Sequence, residues 1–342
     1  MVEVKQAVIM VGGKGTRLYP LTENFPKPAM PVLDQPFLKY QIRSFVDAGI
    51  KEIFLACGFK SDLLQKEVGD GSDLGVKITY SDEDTPLGTG GSMKQLESKL
   101  DPVFVAANGD TYVDIDLREE IEEHISTGAK ITIALGQVDN PCAFGIARQT
   151  EDGRIIEFKD KPKPEEVFSN LVNIGIYVVD RSVLSEVPEN SFFDFSKDLV
   201  PIIASKGERV QGYRQKSGTW VDIGTPANLI EMNLLMAERL HSEDTFGLGQ
   251  DTELVHPAYV GFDSLVKNSK LQRSAVLAGC KIQSSNITES LIMSGCNLQS
   301  ATVTRSILGK GCVVEDGAVI TDCVLREGTV VPKGAVLEKR VG

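Results

Sequence analysis

The chain has 342 residues, of which 42% are hydrophobic and 25% charged, and its net charge is −12. That length suits about two domains of roughly 150 residues each. The acidic balance argues against nucleic acid or an anionic membrane as the main partner, because both need a basic face. No apolar run approaches the roughly 18 residues of a membrane span, and Met1 to Gln6 has no signal-like apolar core, so a cytoplasmic protein is expected. None of the six cysteines forms a CxxC pair, and the three histidines, His124, His241 and His256, are scattered. Zinc-ribbon, thioredoxin-type and histidine metal sites are therefore not expected. The N-terminal segment runs against the overall charge: Lys5, Lys14, Arg17 and Lys27 face only Glu3 and Glu23. A small basic focus of this kind suits a small anionic ligand.

In chain order, Ala7 to Val11 reads as a buried strand. Gly12-Gly-Lys-Gly-Thr-Arg-Leu-Tyr-Pro-Leu-Thr22 follows it directly. It lacks the order of a P-loop and is a poor dinucleotide fingerprint, since Leu18 stands where the third glycine belongs. Its physics still points to phosphate. Glycines let backbone N–H groups approach anionic oxygens, and Lys14 and Arg17 add fixed charge. Pro26-Lys27-Pro28 presents one further cation stiffly. Phe37, Leu38, Gln41, Ile42, Phe45 and Val46 follow helical spacing, with Gly49 as a stop. Glu52 to Cys57 and Val103 to Ala107 read as further strands. Strands alternating with helices predict an α/β fold, Rossmann-like, with a mostly parallel sheet and ligands at the carboxyl ends of its strands. Asn108-Gly-Asp110 closes one such strand, and Asp110 there suits Mg²⁺, which prefers oxygen ligands and keeps substrate phosphates in its shell.

Asn228 to Leu240 reads as a helix, and the polar stretch after it as a linker. Beyond the linker the period changes. Ser274-Ala-Val-Leu-Ala-Gly-Cys, Ser290-Leu-Ile-Met-Ser-Gly-Cys and Ser306-Ile-Leu-Gly-Lys-Gly-Cys recur at intervals of 16, and Cys323-Val-Leu-Arg-Glu-Gly-Thr follows after 17. Val276, Ile282, Ile287, Ile292, Leu298, Val303 and Leu308 supply one inward residue per short strand. Three strands per turn make a parallel β-helix. The expected boundaries are 1–240 for the catalytic domain, 241–255 for the linker and 256–342 for the β-helix. Cys280, Cys296 and Cys312 should form a buried ladder of reduced thiols, and the tail's expected job is assembly of a homo-oligomer.

The loop and the Pro-Lys-Pro segment closely resemble the signature of the sugar-1-phosphate nucleotidyltransferases (NDP-sugar pyrophosphorylases), GGxGTRLxPLT followed by PKP. The resemblance continues along the chain. It includes Pro86-Leu-Gly-Thr-Gly-Gly-Ser92, Asn108-Gly-Asp110, Ile156-Glu-Phe-Lys-Asp-Lys161-Pro, Asn173-Ile-Gly175-Ile-Tyr and Trp220-Val-Asp222-Ile-Gly-Thr-Pro. It implies triphosphate binding by Gly12, Gly13, Gly15, Thr16 and Arg17, with Glu83, Gly88 and Thr89 near the nucleobase. It implies sugar-phosphate contacts from Gly145, Asp160, Lys161, Asn173 and Gly175, Asp160 standing where the family usually has Glu. Asp110 and Asp222 are implied to share a Mg²⁺, and Arg17, Lys27 and Lys161 to neutralise phosphates. It also implies a left-handed hand for the β-helix. The Leu-Gly-Thr-Gly-Gly turn and the run Gly109 to Leu117 look most like mannose- and heptose-1-phosphate guanylyltransferases. Glucose-1-phosphate uridylyl-, thymidylyl- and adenylyltransferases are alternatives. An inactive regulatory subunit is an alternative of another class, although such subunits tend to lose the bases and acids that this chain keeps. A β-helix acyltransferase would need a histidine between coils, and none follows His256.

Overall fold

The computed structural model describes residues 3–58, 60–216, 218–240 and 247–342. The chain divides into two compact units: Met1–Gly13 with Leu38–Val221, and Lys14–Phe37 with Asp222–Gly342.

In the first unit, Gln6–Met10 is the central strand. It pairs in parallel with Glu52–Cys57 on one side and Val103–Asn108 on the other, and Lys77–Asp82 extends the sheet in parallel beyond Glu52–Cys57. The inner three are mostly apolar because both faces are covered, the usual state of a parallel sheet, whereas the edge strand Lys77–Asp82 is more polar and only partly buried. Past Val103–Asn108 the direction changes. Leu171–Asp180 joins antiparallel, Ile131–Gln137 pairs antiparallel with it, and Gly145–Gln149 and Ile155–Asp160 form an antiparallel pair at the far edge. Val8, Phe54, Ala56, Met93, Leu96, Phe104, Ala106 and Tyr177 pack in the main core. The helix Phe37–Asp47 buries Phe37, Leu38, Ile42 and Phe45 as its spacing predicts. It stops where Gly49 takes φ 104° and Ile50 N–H bonds back to the Phe45 carbonyl at 3.0 Å.

In the second unit, the residues beyond Glu253 wind into a left-handed parallel β-helix of hexapeptide repeats. Lys270–Gln272 pairs with Asn286–Thr288, which pairs with Thr302–Thr304, each step being 16 residues. The next step, Thr302 to Val319, is 17, so the extra residue lies between Val314 and Val319. All seven predicted inward residues are buried. Three hydroxyls line one corner. Ser274, Ser290 and Ser306 are fully buried, and each accepts from the backbone N–H of Ser290, Ser306 or Cys323 one coil on, at 3.0–3.2 Å. The residues before these positions, Arg273, Glu289, Arg305 and Asp322, have φ between 44° and 52°. A left-handed non-glycine residue costs about 1–2 kcal/mol, and the buried hydroxyl bonds hold the corner in place. Cys280, Cys296 and Cys312 occupy equivalent points as free thiols, each donating to a carbonyl one coil on at 3.2 Å. The flanking thiols Cys280 and Cys312, together with burial, push the Cys296 thiol far up, so it stays protonated and inert.

The strand Glu253–Val260 begins inside the expected 241–255 linker, and Leu248 already bridges to Val266. The polar run Gln250 to Glu253 leading into it hid its start in the sequence. The rest of that linker, 241–246, including His241, lies outside the described residues. No described helix is long and apolar enough to cross a membrane.

Candidate active site

The first unit holds three groups of expected residues. At the carboxyl end of Gln6–Met10, Gly12 passes close to Gly58: a Cβ on Gly58 would lie 3.1 Å from the Gly12 carbonyl oxygen. Beside it, Gly109 N–H bonds to Met10 O at 2.9 Å, and a Cβ on Gly109 would meet that same oxygen at 2.9 Å. Glycine is thus needed for the turn that carries Asp110. Asp110 is half-buried, and its Oδ1 accepts from the Thr111 hydroxyl at 3.4 Å.

Gln41 secures this turn. It is fully buried, and its amide nitrogen donates to Asn108 O at 2.8 Å and to Thr111 O at 2.9 Å, the two carbonyls flanking Gly109 and Asp110. In the sequence Gln41 merely continues a helical stripe. A polar residue on that apolar stripe was the signal of its role.

The Pro86–Ser92 turn is held by the protein itself. Both oxygens of Glu83 are engaged, one with Leu87 N–H at 3.0 Å and the other with the Ser92 hydroxyl at 2.5 Å. Gly88 has φ 71°, and a Cβ there would lie 2.7 Å from Phe193 O. The N–H groups of Gly90 and Gly91 both donate to that oxygen, and Thr89 Oγ1 accepts from Phe195 N–H at 2.8 Å. Glu83, Gly88 and Thr89 therefore shape a turn docked on the Phe193–Phe195 segment.

The third group lies at the antiparallel edge. Asp160 pairs in register with Gly145, and Lys161 N–H bonds to Phe144 O at 2.9 Å. Lys161 has φ 44° and an exposed side chain. Burial lifts the Asp160 carboxyl above the usual range, Asp194 pushes the same way, and Lys161 and Lys197 oppose it. Asp194 and Lys197, which the sequence reading did not single out, thus belong to the same charged neighbourhood. Asn173 Oδ1 accepts from Gly175 N–H at 2.9 Å, and its amide donates to the Tyr177 and Ser196 hydroxyls at 2.8 and 3.2 Å. Gly175 has φ 81°, and the pairing register shifts between Asn173 and Tyr177, as at a β-bulge. A Cβ on Gly175 would lie 2.7 Å from the Asn108 amide.

The second unit gathers Gly15, Thr16, Arg17, Lys27 and Asp222. Gly15 adopts φ 62° and starts the short helical turn Thr16–Leu18, which carries the exposed Arg17. A Cβ on Gly15 would lie 3.0 Å from Lys27 Cβ, and the Thr22 hydroxyl donates to Gly15 O at 3.0 Å. Lys27 is buried, with Nζ 3.6 Å from Asp222 Oδ1. Gly224 marks where the three charges converge: a Cβ there would lie 2.6 Å from Asp222 Oδ1 and 2.7 Å from Arg17 Nη2. Asp222 is followed by the helix Pro226–Glu238, capped by Thr225, and Asn228 donates to Asp222 O at 2.7 Å. Two cations around one carboxylate can receive anionic oxygens and a divalent cation together. Among the described residues, no group of three or more His, Cys, Asp or Glu side chains could hold a metal unaided.

A glycine-rich loop bearing Arg17 and Lys27 and an α/β sheet followed by hexapeptide coils define a nucleotidyl transferase architecture. The nucleotidyl transferase family model matches residues 6–239, and a GlmU-like C-terminal hexapeptide model matches residues 256–341. The chain belongs to the nucleotidyl transferase family. It is 35% identical over 226 residues to the mannose-1-phosphate guanylyltransferase of Mycobacterium tuberculosis, covering 66% of this chain and 62% of that protein. It is also 35% identical over 230 residues to the mannose-1-phosphate guanylyltransferase catalytic subunit beta of Drosophila pseudoobscura pseudoobscura, covering 66% of this chain and 60% of that protein. The chain thus spans about three fifths of the length of these relatives. The crystal structure of HddC from Yersinia pseudotuberculosis superposes with TM-score 0.60 at 25% identity, covering 68% of this chain and all of that one.

Proposed function

We propose that this protein transfers a nucleotidyl group from a nucleoside triphosphate to a sugar 1-phosphate, releasing pyrophosphate. GTP with mannose 1-phosphate or a heptose 1-phosphate is the proposed pair. The observation that carries the reading is the convergence of Arg17, Lys27 and Asp222 on the glycine loop, in a chain whose relatives bear guanylyltransferase names.

No protein nucleophile is needed. A sugar phosphate with a second pKa near ~6 is already mostly dianionic at neutral pH. One of its oxygens attacks the α-phosphorus in line, a P–O bond forms, and the bond to the pyrophosphate oxygen breaks. The barrier is the meeting of two polyanions, so the protein's work is charge neutralisation and alignment. Arg17 takes the charge that grows on the leaving pyrophosphate, and Lys27 assists at the phosphates. Lys161 holds the sugar phosphate, and Asp160, Asn173 and the Gly145 and Gly175 backbone border the sugar.

Asp110 and Asp222 would hold Mg²⁺, which binds through one or two carboxylates plus substrate phosphates. When bound, it supplies positive charge that offsets repulsion between the two phosphates. Pyrophosphate release measured for GTP, ATP, UTP and dTTP against several sugar 1-phosphates tests the whole reading. No release with any pair would overturn it, and release with UTP or dTTP and glucose 1-phosphate alone would replace the proposed pair.

A further inference from the structure

We infer that the β-helix clamps the phosphate loop, with Asp34 and Arg326 as positioning residues for Arg17 and Lys27. The inference rests on the reading of that loop as the triphosphate site. It adds a second task to a tail whose sequence pointed only to assembly.

Lys14–Phe37, which carries Arg17 and Lys27, lies in one compact unit with the coils. Between Gly12 and Phe37 the backbone forms only short helical turns and a small hairpin, Pro31–Val32 with Gln35–Pro36. Such a segment cannot hold a defined shape alone, and ordering it opposes ligand binding unless something orders it beforehand. The coils do so at two points.

The first point follows Lys27. Asp34, at the tip of the hairpin, reaches the first coils. Its Oδ2 accepts from the Tyr259 hydroxyl at 2.7 Å and from Phe262 N–H at 3.2 Å, and its Oδ1 accepts from Ala278 N–H at 2.7 Å. Gly261 makes room, since a Cβ there would lie 2.9 Å from Oδ1. Charge-assisted bonds to backbone donors are among the stronger polar contacts. The same hairpin is held from the helix Pro226–Glu238, where the fully buried Asn233 accepts from Leu33 N–H at 2.7 Å.

The second point lies two residues after Arg17. Arg326, on a late coil, donates to the Tyr19 hydroxyl at 2.7 Å, and its Nε lies 3.1 Å from Glu23 Oε2. Its guanidinium stands 5.9 Å from the Tyr19 ring centre. Tyr19 and Glu23 bracket the turn at Leu21 and Thr22, and Thr22 bonds back to Gly15. The segment with Arg17 and Lys27 is therefore tied to early coils at one end and to a late coil at the other. Both ties use side chains with no part in the proposed chemistry.

The test uses the full-length protein with Asp34→Ala, Arg326→Ala and the double substitution. Arg273→Ala serves as a control, because Arg273 contacts Glu231 and Glu289 but not the loop. Hydrogen–deuterium exchange is followed over residues 14–36, and KM is measured for GTP and for mannose 1-phosphate, or for the pair that the release screen selects. The clamp predicts faster exchange in that segment for both single variants, with the control at parent rate. It predicts about a tenfold rise in triphosphate KM for the double variant and a sugar-phosphate KM within about twofold of the parent. Unchanged exchange, or an equal rise in both KM values, overturns it. If Asp34→Ala does not fold, Tyr259→Phe removes the hydroxyl that donates to Asp34 and must shift exchange in the same direction by less; no shift overturns the clamp. Arg17→Ala and Lys27→Ala run in parallel. If they leave triphosphate KM unchanged, the phosphate reading fails, while the exchange data still decide the clamp.

Discussion

Lys27 and Asp222 stand 3.6 Å apart, and the lysine side chain is only 8% exposed. A buried ammonium needs nearby negative charge, so Asp222 supports Lys27 as well as serving as a proposed metal ligand. Removing one partner of a buried pair costs about 3–5 kcal/mol, and the partial exposure of Asp222 places this pair at the lower end. Asp222→Asn should therefore lose both activity and several degrees of Tm. Asp110→Asn should lose most activity while keeping the fold, because a neutral amide is a much weaker Mg²⁺ ligand. Calorimetry and pyrophosphate release on both variants check this, and near-parental turnover of Asp110→Asn in Mg²⁺ would refute the metal assignment.

The two phosphates should separate by mutation. Lys161→Ala is expected to damage mainly the use of sugar phosphate, and Arg17→Ala mainly that of the triphosphate. A hydrogen bond to a charged group contributes about 1.5–3 kcal/mol, or roughly 10- to 150-fold. Steady-state constants for each substrate test the split, and equal effects of both variants on both substrates would sink it.

Gln41 clamps both carbonyls beside Asp110. Gln41→Leu keeps the volume but leaves those carbonyls without their donor, at a cost of about 1–3 kcal/mol each. The expected signature is a higher Mg²⁺ concentration for half-maximal rate and a lower kcat, with sugar-phosphate KM little changed. Phe45→Leu on the same helix face is the control for lost packing. If its Mg²⁺ dependence shifts as much, Gln41 is only structural.

His124 gives a pH signature outside the site. Burial pulls its imidazole down to about 4, with Asp180 opposing and Lys130 assisting, and its Nδ1 lies 2.9 Å from the Thr132 hydroxyl. The unfolded imidazole, near ~6.5, binds a proton that the folded one refuses. Its stabilising contribution is therefore present above that value and declines as pH falls from about 6.5 to about 4. The full loss is on the order of 3 kcal/mol. Denaturant melts of the parent and His124→Gln across this range should show a shallower decline in the variant; parallel curves would reject the assignment.

Assembly is proposed to use the last coils, where Val330 and Val336 are 60% and 73% exposed. Val330→Glu with Val336→Glu in the full chain should lower the mass seen by light scattering without unfolding the protein. An unchanged mass would place the contact elsewhere or show a monomer.

The sequence alone carried the layout. The 16-residue recurrence of Gly-Cys announced the coils because each coil must present the same inward residues to its neighbours. The strand Glu52–Cys57 and the helix from Phe37 were legible because backbone bonding and side-chain period act locally. The loop motif could be read because glycines and bases in that order fit phosphate. Tertiary structure decided which polar groups meet. It showed Gln41 beneath the Asp110 turn, both oxygens of Glu83 turned to Leu87 and Ser92, and Lys27 beside Asp222. It also showed Asp34 on Tyr259 and Arg326 on Tyr19. A side chain's type sets what it can donate or accept, but its partner is whichever group the folded chain carries within about 3 Å of it. For these residues that group comes from a distant segment, so no local pattern in the sequence could name it.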